Sequence, residues 1–299
     1  MMLKILLIIA VALLFTGLFF LGVMIHDVCC FVRRVYKISS PKLRKKAKLL
    51  LLADLHNHSF GKGNARLVRA ILKEKPEAVL VAGDLITATH LETDEEPVLS
   101  LLQEIVRAGI PVLYGMGNHE QKLNTWEIYR KDKRFRSFRE KAESFGVRFL
   151  RNETAFLEDL GIRVYGLELP FELYYAPLER GITAREAYPA KELAKLIGGP
   201  KEDSFNILIA HDPEFYDIYD DWGADLTLSG HMHGGIVRVP FLGGLVSPSL
   251  QLFPKYDGGR YKGKNGELII SRGLGEHTLP VRVFDPAELV VLELSPKQN

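Results

Sequence analysis

The chain has 299 residues, of which 47% are hydrophobic and 25% are charged, so it can bury a sizeable core and fits one domain plus an appendage. Its two cysteines, Cys29 and Cys30, are adjacent and exclude a fold held by a disulfide framework. Residues 1–47 hold eight of the 39 Lys and Arg but one of the 37 Asp and Glu, which leaves 31 basic and 36 acidic residues, a balance of −5, for the rest. Such a mildly acidic domain is not expected to bind nucleic acid.

An uncharged apolar run extends from Ile5 to Ile25. At about 1.5 Å per residue it can cross roughly 30 Å of hydrocarbon, so we predict one transmembrane helix at about residues 5–25. This helix belongs to an N-terminal anchor and basic linker over residues 1–47. A cleaved signal peptide is the alternative, but its apolar run is typically about 7 to 15 residues long and ends in small residues.

Basic residues cluster after the apolar run. Only Lys4 and the amino group precede it, whereas the following residues are Arg33, Arg34, Lys37, Lys42, Arg44, Lys45, Lys46 and Lys48. The positive-inside tendency therefore predicts a single-pass membrane protein whose larger part is cytoplasmic. The basic stretch could also hold that part against anionic lipid head groups, or serve only as a stop-transfer flank.

The remainder alternates short apolar strands with amphipathic helices, which predicts one α/β domain over residues 48–299. Its opening is βαβαβ, with strands over 48–53, 78–82 and 111–114, and helices over 64–75 and 95–108. Residues 147–169 are expected to form strands joined by tight turns. Further strands are expected over 205–210, 225–229 and 288–294. This order favours an α/β sandwich built on two sheets over a single doubly wound sheet.

Polar side chains of metal-binding types follow five of these strands, where open α/β sheets place their binding sites. The five groups are Asp54-Leu55-His56, Gly83-Asp84, Gly117-Asn118-His119-Glu120, His211-Asp212-Pro213 and Gly230-His231-Met232-His233-Gly234-Gly235. Each group alone is weak, because turns and helix caps use the same residues. Together they supply the carboxylates, the amide and the imidazoles that two neighbouring divalent cations require.

This order of motifs resembles the calcineurin-like metallophosphoesterase superfamily over roughly residues 49–277. The last motifs are similar to its membrane-associated bacterial phosphodiesterase branch. The resemblance implies an α/β fold, a four-layer α/β/β/α metallophosphoesterase sandwich, preceded here by one transmembrane helix. It also implies a hydrolase that acts on phosphoric ester bonds.

The resemblance also implies roles for single residues. Asp54, His56 and His233 would bind a first metal. A second metal would be bound by Asn118, His211 and His231. Asp84 would bridge the two metals, and His119 matches the family's catalytic histidine, which contacts the substrate.

Two divalent metal ions per chain are therefore expected, and oxygen and imidazole ligands without thiolates suit Mn first, with Fe, Zn or Co as alternatives. A hydroxide bridging the metals would attack a phosphodiester or pyrophosphate in a phosphorylated small molecule or a lipid-linked substrate at the membrane. A phosphomonoesterase would use the same ligands, so the sequence does not separate the two. A non-catalytic membrane scaffold would be expected to have lost ligands, whereas this chain keeps all of them.

Three neighbouring features have two interpretations each. His58 could touch the substrate or be a solvated loop histidine. Glu120 could orient His119 or only begin the following helix, where a carboxylate is favourable. Arg272 and His277 lie in a glycine-punctuated loop that could close over the site and meet a phosphate, or could be a surface loop.

Overall fold

A computed structural model of the chain describes residues 1–88, 93–126, 133–174, 189–235, 237–239, 242–246, 252–276 and 281–297. The helices are α1 Met2–Cys29, α2 Ala65–Glu74, α3 Glu96–Arg107, α4 Asn118–Thr125, α5 Arg134–Phe145, α6 Ala190–Ile197 and α7 Tyr216–Trp222. The first strands are β1 Phe31–Ser40, β2 Ala47–Leu52, β3 Ala78–Ala82, β4 Val112–Gly115, β5 Arg148–Leu150, β6 Glu153–Leu157 and β7 Ile162–Leu167. The later strands are β8 Phe205–Ala210, β9 Leu226–Ser229, β10 Arg238–Val239, β11 Gly243–Gly244, β12 Gly259–Lys262, β13 Glu267–Ile270 and β14 Ala287–Pro296.

Two six-stranded sheets form the centre of the protein. The first has the order β1-β14-β2-β3-β4-β5, and the second has the order β12-β13-β9-β8-β7-β6. In the first sheet β2, β3 and β4 are parallel neighbours, with α2 and α3 as the crossovers, so the βαβαβ opening is present. In the second sheet β7, β8 and β9 are likewise parallel. The carboxyl ends of three parallel strands therefore meet at one edge of each sheet.

The alternation of side chains along the strands builds four layers. In β2, Leu49 and Leu51 belong to the apolar cluster between the two sheets, and Leu50 belongs to the cluster under α2, α3 and α5. In the second sheet, Ile207 faces the other sheet while Leu208 packs under α6 and α7. Successive residues of a strand point to opposite faces, so each central strand must be apolar on both. The four-layer α/β/β/α sandwich is confirmed.

The basic segment after α1 is a strand rather than a linker. β1 pairs in parallel with β14 from Phe31 opposite Ala287 to Ser40 opposite Pro296. The boundary predicted after residue 47 therefore does not separate a linker from the domain, because residues 31–40 are part of the first sheet. β1 is an edge strand, and charged side chains on an edge oppose pairing with other chains.

Several cations between residues 33 and 48 are paired with carboxylates of the protein. Arg33 and Lys48 both bind Glu74, Arg34 binds Glu288, and Lys42 binds Asp225. Four of the basic residues considered for lipid head groups thus fix β1 and β2 to the domain.

α1 is the one helix among the described residues that is long and apolar enough to span a membrane, with a mean hydropathy of 2.8 over its most apolar window. None of that window is buried against the rest of the protein. A signal sequence would have the same features, so the helix by itself does not decide between an anchor and a leader.

Glu74 should contribute a pH-dependent part of the stability. Its carboxylate lies 2.6 Å from Arg33 Nε and 2.9 Å from Lys48 Nζ, and the Arg33 hydrogen bond lowers the pKa of Glu74 to about 2. Because the unfolded value is about 4.3, the contribution is complete above that pH and is lost as the pH falls towards 2. Glu74→Gln should lower the free energy of unfolding by about 1 kcal/mol at pH 7.

Thermal unfolding of the full chain in detergent measures this effect. The gap between Glu74→Gln and wild type should shrink between about pH 4 and pH 2. Glu104→Gln, which removes an exposed partner of Arg107, is the matched control and should change little at any pH. A gap that is constant across this range would contradict the assignment.

Candidate metal centre

All eight side chains predicted to act in the site converge where the carboxyl ends of the two sheets meet. Asp54 and His56 follow β2, Asp84 follows β3, and Asn118 and His119 begin α4 directly after β4. The second sheet supplies the other three, namely His211 after β8, and His231 and His233 after β9. The parallel strands of both sheets therefore aim their terminal loops at a common point.

The first group consists of Asp54, His56 and His233, whose ligand atoms all lie within 4.8 Å of one another. His56 Nε2 is 3.0 Å from His233 Nε2, and His233 Nε2 is 3.6 Å from Asp54 Oδ1. One carboxylate and two imidazoles facing one another at these distances form a donor set for a borderline divalent cation. These are the residues that the resemblance assigns to the first metal.

The second group is Asp84, His211 and His231, again with ligand atoms within 4.8 Å of one another. His211 Nε2 is 3.0 Å from Asp84 Oδ2, and His231 Nδ1 is 3.0 Å from Asn118 Oδ1. Asp84 also groups with His56 and His119, so it lies between the two sets. This is the position that a bridging carboxylate would need.

The surroundings of His211 fit a cation. Its Nδ1 is 2.6 Å from the carbonyl oxygen of Ala82, which can only accept, so Nδ1 carries the proton and Nε2 presents a lone pair. Nε2 is buried, makes no hydrogen bond, and faces the Asp84 carboxylate. Two lone-pair donors that face each other in a buried site are complementary to a metal ion between them.

The buried charges of the site also favour a bound cation. Burial raises the pKa of Asp54 to about 7. Burial alone would lower the pKa of His211, but the Asp84 carboxylate raises it to about 10. In the absence of a cation, Asp84 thus favours a second proton on His211, at Nε2, and the buried carboxyl of Asp54 is poorly stabilised as an anion. A divalent cation would take the place of that proton and stabilise both carboxylates as anions.

The loops of the site depart from ordinary backbone geometry. Asp54, His56, Asp84, His231 and His233 all have φ between 48° and 72°, a region that non-glycine residues seldom occupy. Five such residues at one place indicate strain held by the surrounding structure, as is common at functional sites.

Two glycines permit the close approach of the loops that carry Asp84 and Asn118. A Cβ on Gly83 would lie 2.6 Å from the Cα of Gly117, and a Cβ on Gly117 would lie 2.2 Å from Asp84 Oδ1. A larger residue at either position would push the two loops apart. Glycine is therefore required at positions 83 and 117 because any side chain would collide with the neighbouring loop.

His119 is held in a defined tautomer. The backbone N–H of Ala88 donates to His119 Nδ1 over 2.8 Å, so Nδ1 accepts and the proton of the neutral ring lies on Nε2. The His119 ring centroid is 4.7 Å from that of His56, which places it beside the first group. The imidazole is therefore prepared to donate a hydrogen bond while uncharged.

Glu120 has a role that sequence reasoning missed. Its carboxylate accepts from the backbone N–H groups of Asp84 and Gly117 over 2.9 and 3.0 Å, and from the hydroxyl of Tyr114 over 2.7 Å. It does not orient His119, as one interpretation held, although it does cap α4. Burial and then the charge of Asp84 raise the pKa of Glu120 to about 8. Only the folded structure brings Glu120 next to Asp84, so the sequence carried no signal for this contact.

Arg282 and Asp285 support the site from the end of the chain. Arg282 donates to the carbonyls of Arg272 and Gly275 and binds the Asp285 carboxylate over 3.2 Å. The backbone N–H of Gly275 in turn donates to the carbonyl of Asp54. Asp285 also lies so close to Gly234, beside His233, that a Cβ there would be 2.2 Å from its Oδ1. Both loops of the first group are therefore fixed by this pair.

The side chains of His58 and Arg272 have partners outside the two ligand groups. His58 Nδ1 is 3.0 Å from Glu276 Oε2, so the histidine has an ion-pair partner outside the two groups. The Arg272 guanidinium lies 3.8 Å from Asp285 and 4.0 Å from Glu288, and is directed at these carboxylates. His277 lies outside the described residues.

Removing the Glu120 carboxylate should loosen the loop that carries Asp84. Glu120→Ala leaves the backbone N–H groups of Asp84, Ile86 and Gly117 without this acceptor. We expect a loss in Mn affinity of roughly 10 to 100-fold, as is typical when a group that orients ligands is removed. Isothermal titration of the full chain in detergent measures it. Glu172→Ala, at an exposed glutamate, is the matched control. Unchanged Mn affinity in Glu120→Ala would refute the role.

The contact between Gly234 and Asp285 can be tested with a pair of glycines. Gly234→Ala and Gly109→Ala both place a side chain at a positive φ, 68° and 77°, but a Cβ at Gly109 has no atom within 4 Å. Gly109→Ala should cost about 1 kcal/mol in unfolding free energy and leave Mn affinity unchanged. Gly234→Ala should weaken Mn binding as well, because His233 must move. Equal unfolding free energies and equal Mn affinities of the two variants would contradict a role of the Gly234–Asp285 contact in positioning His233.

Comparison with known proteins places the chain in a family. The sequence model of the calcineurin-like phosphoesterase family matches residues 47–235. An uncharacterized metallophosphoesterase of Campylobacter jejuni is 27% identical over 87% of this chain, which spans 62% of that protein's length. The uncharacterized metallophosphoesterase YkuE of Bacillus subtilis is 25% identical over 76% of this chain and 71% of its own. An uncharacterized metallophosphoesterase of Aquifex aeolicus is 25% identical over 93% of this chain and 98% of its own length.

One solved structure, the NAD nucleotidase of Haemophilus influenzae, aligns with 76% of this chain and 45% of its own at 14% identity, with a TM-score of 0.40. That likeness is too low to carry an argument. The family match covers more than half of the chain and includes the strands and loops that carry every ligand residue described above. This protein therefore belongs to the calcineurin-like phosphoesterase family and is a metal-dependent hydrolase of phosphoric esters.

Proposed function

We propose that the protein is a membrane-anchored phosphoesterase that uses two divalent cations, Mn first among them, to hydrolyse a phosphodiester or pyrophosphate. The observation that carries this proposal is the position of Asp84, which groups with His211 and His231 on one side and with His56, a member of the first group, on the other. A substrate held in the membrane, or a small phosphate near it, suits a domain whose first sheet is separated from α1 by the single residue Cys30. We expect no role for nucleic acid, because residues 48–299 carry a balance of −5. Arg33, Arg34 and Lys42, at the start of the domain, are paired with carboxylates.

Seven residues would bind the two cations. Asp54, His56 and His233 would hold one cation, and Asn118, His211 and His231 the other. Asp84 lies between them. When bound, two such cations supply an activated water and neutralise charge on phosphoryl oxygens.

His119 would act on the substrate itself. Its Nε2–H, fixed by the Ala88 hydrogen bond, would donate to a phosphoryl oxygen or to the leaving oxygen as negative charge develops there. In this role the histidine is a neutral hydrogen-bond donor and need not carry a positive charge.

Hydrolysis of bis-p-nitrophenyl phosphate and of p-nitrophenyl phosphate tests the activity. The full chain in detergent should cleave the diester faster than the monoester with Mn, and neither with chelator. Asp84→Asn should abolish turnover and reduce bound Mn. Faster monoester cleavage would favour a phosphomonoesterase, and full activity of Asp84→Asn would refute the proposed site.

His119 variants test the hydrogen-bond role. His119→Ala should lower kcat by roughly 10² to 10³ with Mn content unchanged. His119→Gln should retain more activity than His119→Ala, because its amide can accept from Ala88 and still donate. His58→Gln is the matched control and should behave like wild type. Equal loss in the Ala and Gln variants would contradict a neutral donor and favour a charged acid.

The orientation in the membrane follows from the charge asymmetry around α1 and has its own test. A reporter active only in the cytoplasm, fused after Asn299, should be active in cells that express the full chain. A reporter active only outside the cytoplasm should be silent at the same position. The opposite pattern would overturn the cytoplasmic assignment while leaving the chemistry untouched.

A further inference from the structure

Exposed apolar side chains concentrate on one surface outside α1. Among the described residues beyond the helix, six large apolar side chains are exposed, and four of them are Leu242, Leu252, Phe253 and Phe284, from 38% to 70% exposed. These four residues are called the apolar face below. The other two, Trp126 and Leu196, lie on separate elements. Soluble surfaces carry single exposed apolar residues, whereas a group of them indicates a contact with a partner or a membrane.

The backbone brings the apolar face together. Leu242 lies in the turn between β10 and β11, and Phe253 N–H donates to the carbonyl of Leu245. The bridge between Val246 and Leu252 joins these segments. The segment that carries Phe284 joins the same unit, because Val237 bridges Val283 and the Arg238 N–H donates to the Val283 carbonyl.

The apolar face begins at the anchor helix. The ring centroid of Phe284 is 6.0 Å from that of Phe20 and 6.4 Å from that of Phe19. A groove between α1 and this segment is mostly apolar. Its lining residues are Leu18, Phe19, Gly22, Val23, Phe284 and Pro286, together with His26 and Asp27. Phe20 lies five residues inside the apolar run that ends at Ile25, which corresponds to about 8 Å along a helix. A residue packed on Phe20 must lie at the same depth.

A buried hydrogen bond fixes this arrangement. The Asp27 carboxylate accepts from the backbone N–H of Asp285 over 2.9 Å, and both residues are buried. Asp27 lies in the last turn of α1, and Asp285 follows Phe284 directly. The helix end and the apolar face are therefore connected at one point by a bond that water does not reach.

We propose that the apolar face enters the lipid bilayer beside α1 and forms a second membrane contact. The inference rests on the proposed membrane anchoring and extends it. The occupant of this surface is the acyl-chain region of the bilayer, since the face is continuous with side chains of a helix long enough to span it. Lys255, two residues after Phe253, is exposed and lies 3.9 Å from the exposed Asp217. Its long side chain could exchange this partner for a lipid phosphate at the rim of the apolar face.

The second contact has a consequence for the substrate. β10 begins three residues after the ligand loop that ends at Gly235, and Asp285 packs against Gly234 in that loop. With α1 and the apolar face both in the bilayer, the domain is held in one orientation and the metal centre stays near the head groups. The substrate class favoured by this geometry is a phosphoric ester whose lipid part remains in the membrane.

Lipid-borne quenchers test the contact on the full chain. Phe253→Cys, Leu14→Cys and Leu196→Cys are each made in a Cys29→Ser, Cys30→Ser background, labelled with bimane, and reconstituted into vesicles of phosphatidylcholine and phosphatidylglycerol. We expect doxyl lipids to quench the labels at 253 and 14, and aqueous iodide to quench the label at 196. Leu196 is the matched control, an exposed leucine on α6.

The outcomes distinguish the second membrane contact from the anchoring by α1. Quenching by lipid at 14 but not at 253 overturns the second contact and leaves the anchor intact. No lipid quenching at either position contradicts both. These results do not depend on turnover, so they stand even if the proposed activity fails.

Activity gives a second measurement. In Leu252→Ser, Phe253→Ser, cleavage of a vesicle-embedded chromogenic phosphodiester should fall about tenfold, because the orientation at the surface is lost. Cleavage of soluble bis-p-nitrophenyl phosphate should be unchanged. Equal loss on both substrates, or on neither, would overturn the proposed role of the apolar face.

Discussion

The buried carboxylate of Asp84 is the constraint on which the structure of the site depends. It lies between two groups of imidazoles, 3.0 Å from His211 Nε2, and it accepts the backbone N–H of His119 over 2.8 Å. A buried carboxylate is stable only when positive charge or donors surround it. The strand ends of both sheets and the glycines at 83 and 117 bring the imidazoles and donors close to Asp84. Glu120 fixes the loop that carries Asp84. Two bound cations would complete this balance.

Much of the fold and of the site could be predicted because their signals are local. β2, β3 and β8 are buried on both faces, so each is a continuous apolar run in the sequence. Each ligand follows such a run directly, which is why the positions of Asp54, Asp84 and His211 could be predicted before the structure. The convergence of both sheets on one point then follows from the parallel pairing of neighbouring strands.

The rest could not be predicted because it depends on distant pairings. β1 mixes basic and apolar residues directly after the apolar helix α1, and only its pairing with β14, more than 240 residues later, makes it part of a sheet. Glu120 and Asp285 act through backbone groups that they meet only in the folded chain. The apolar face has the same origin, since the segments that carry Leu242 and Phe284 are joined by the bridge between Val237 and Val283. Local patterns contain none of this information.

Metal content combined with electron paramagnetic resonance tests the central claim most directly. The full chain loaded with Mn and freed of excess metal should contain two Mn ions per chain. Their spectrum should be that of an exchange-coupled pair, because a shared carboxylate holds them close together. A single ion per chain, or two ions with uncoupled spectra, would contradict a centre built around Asp84.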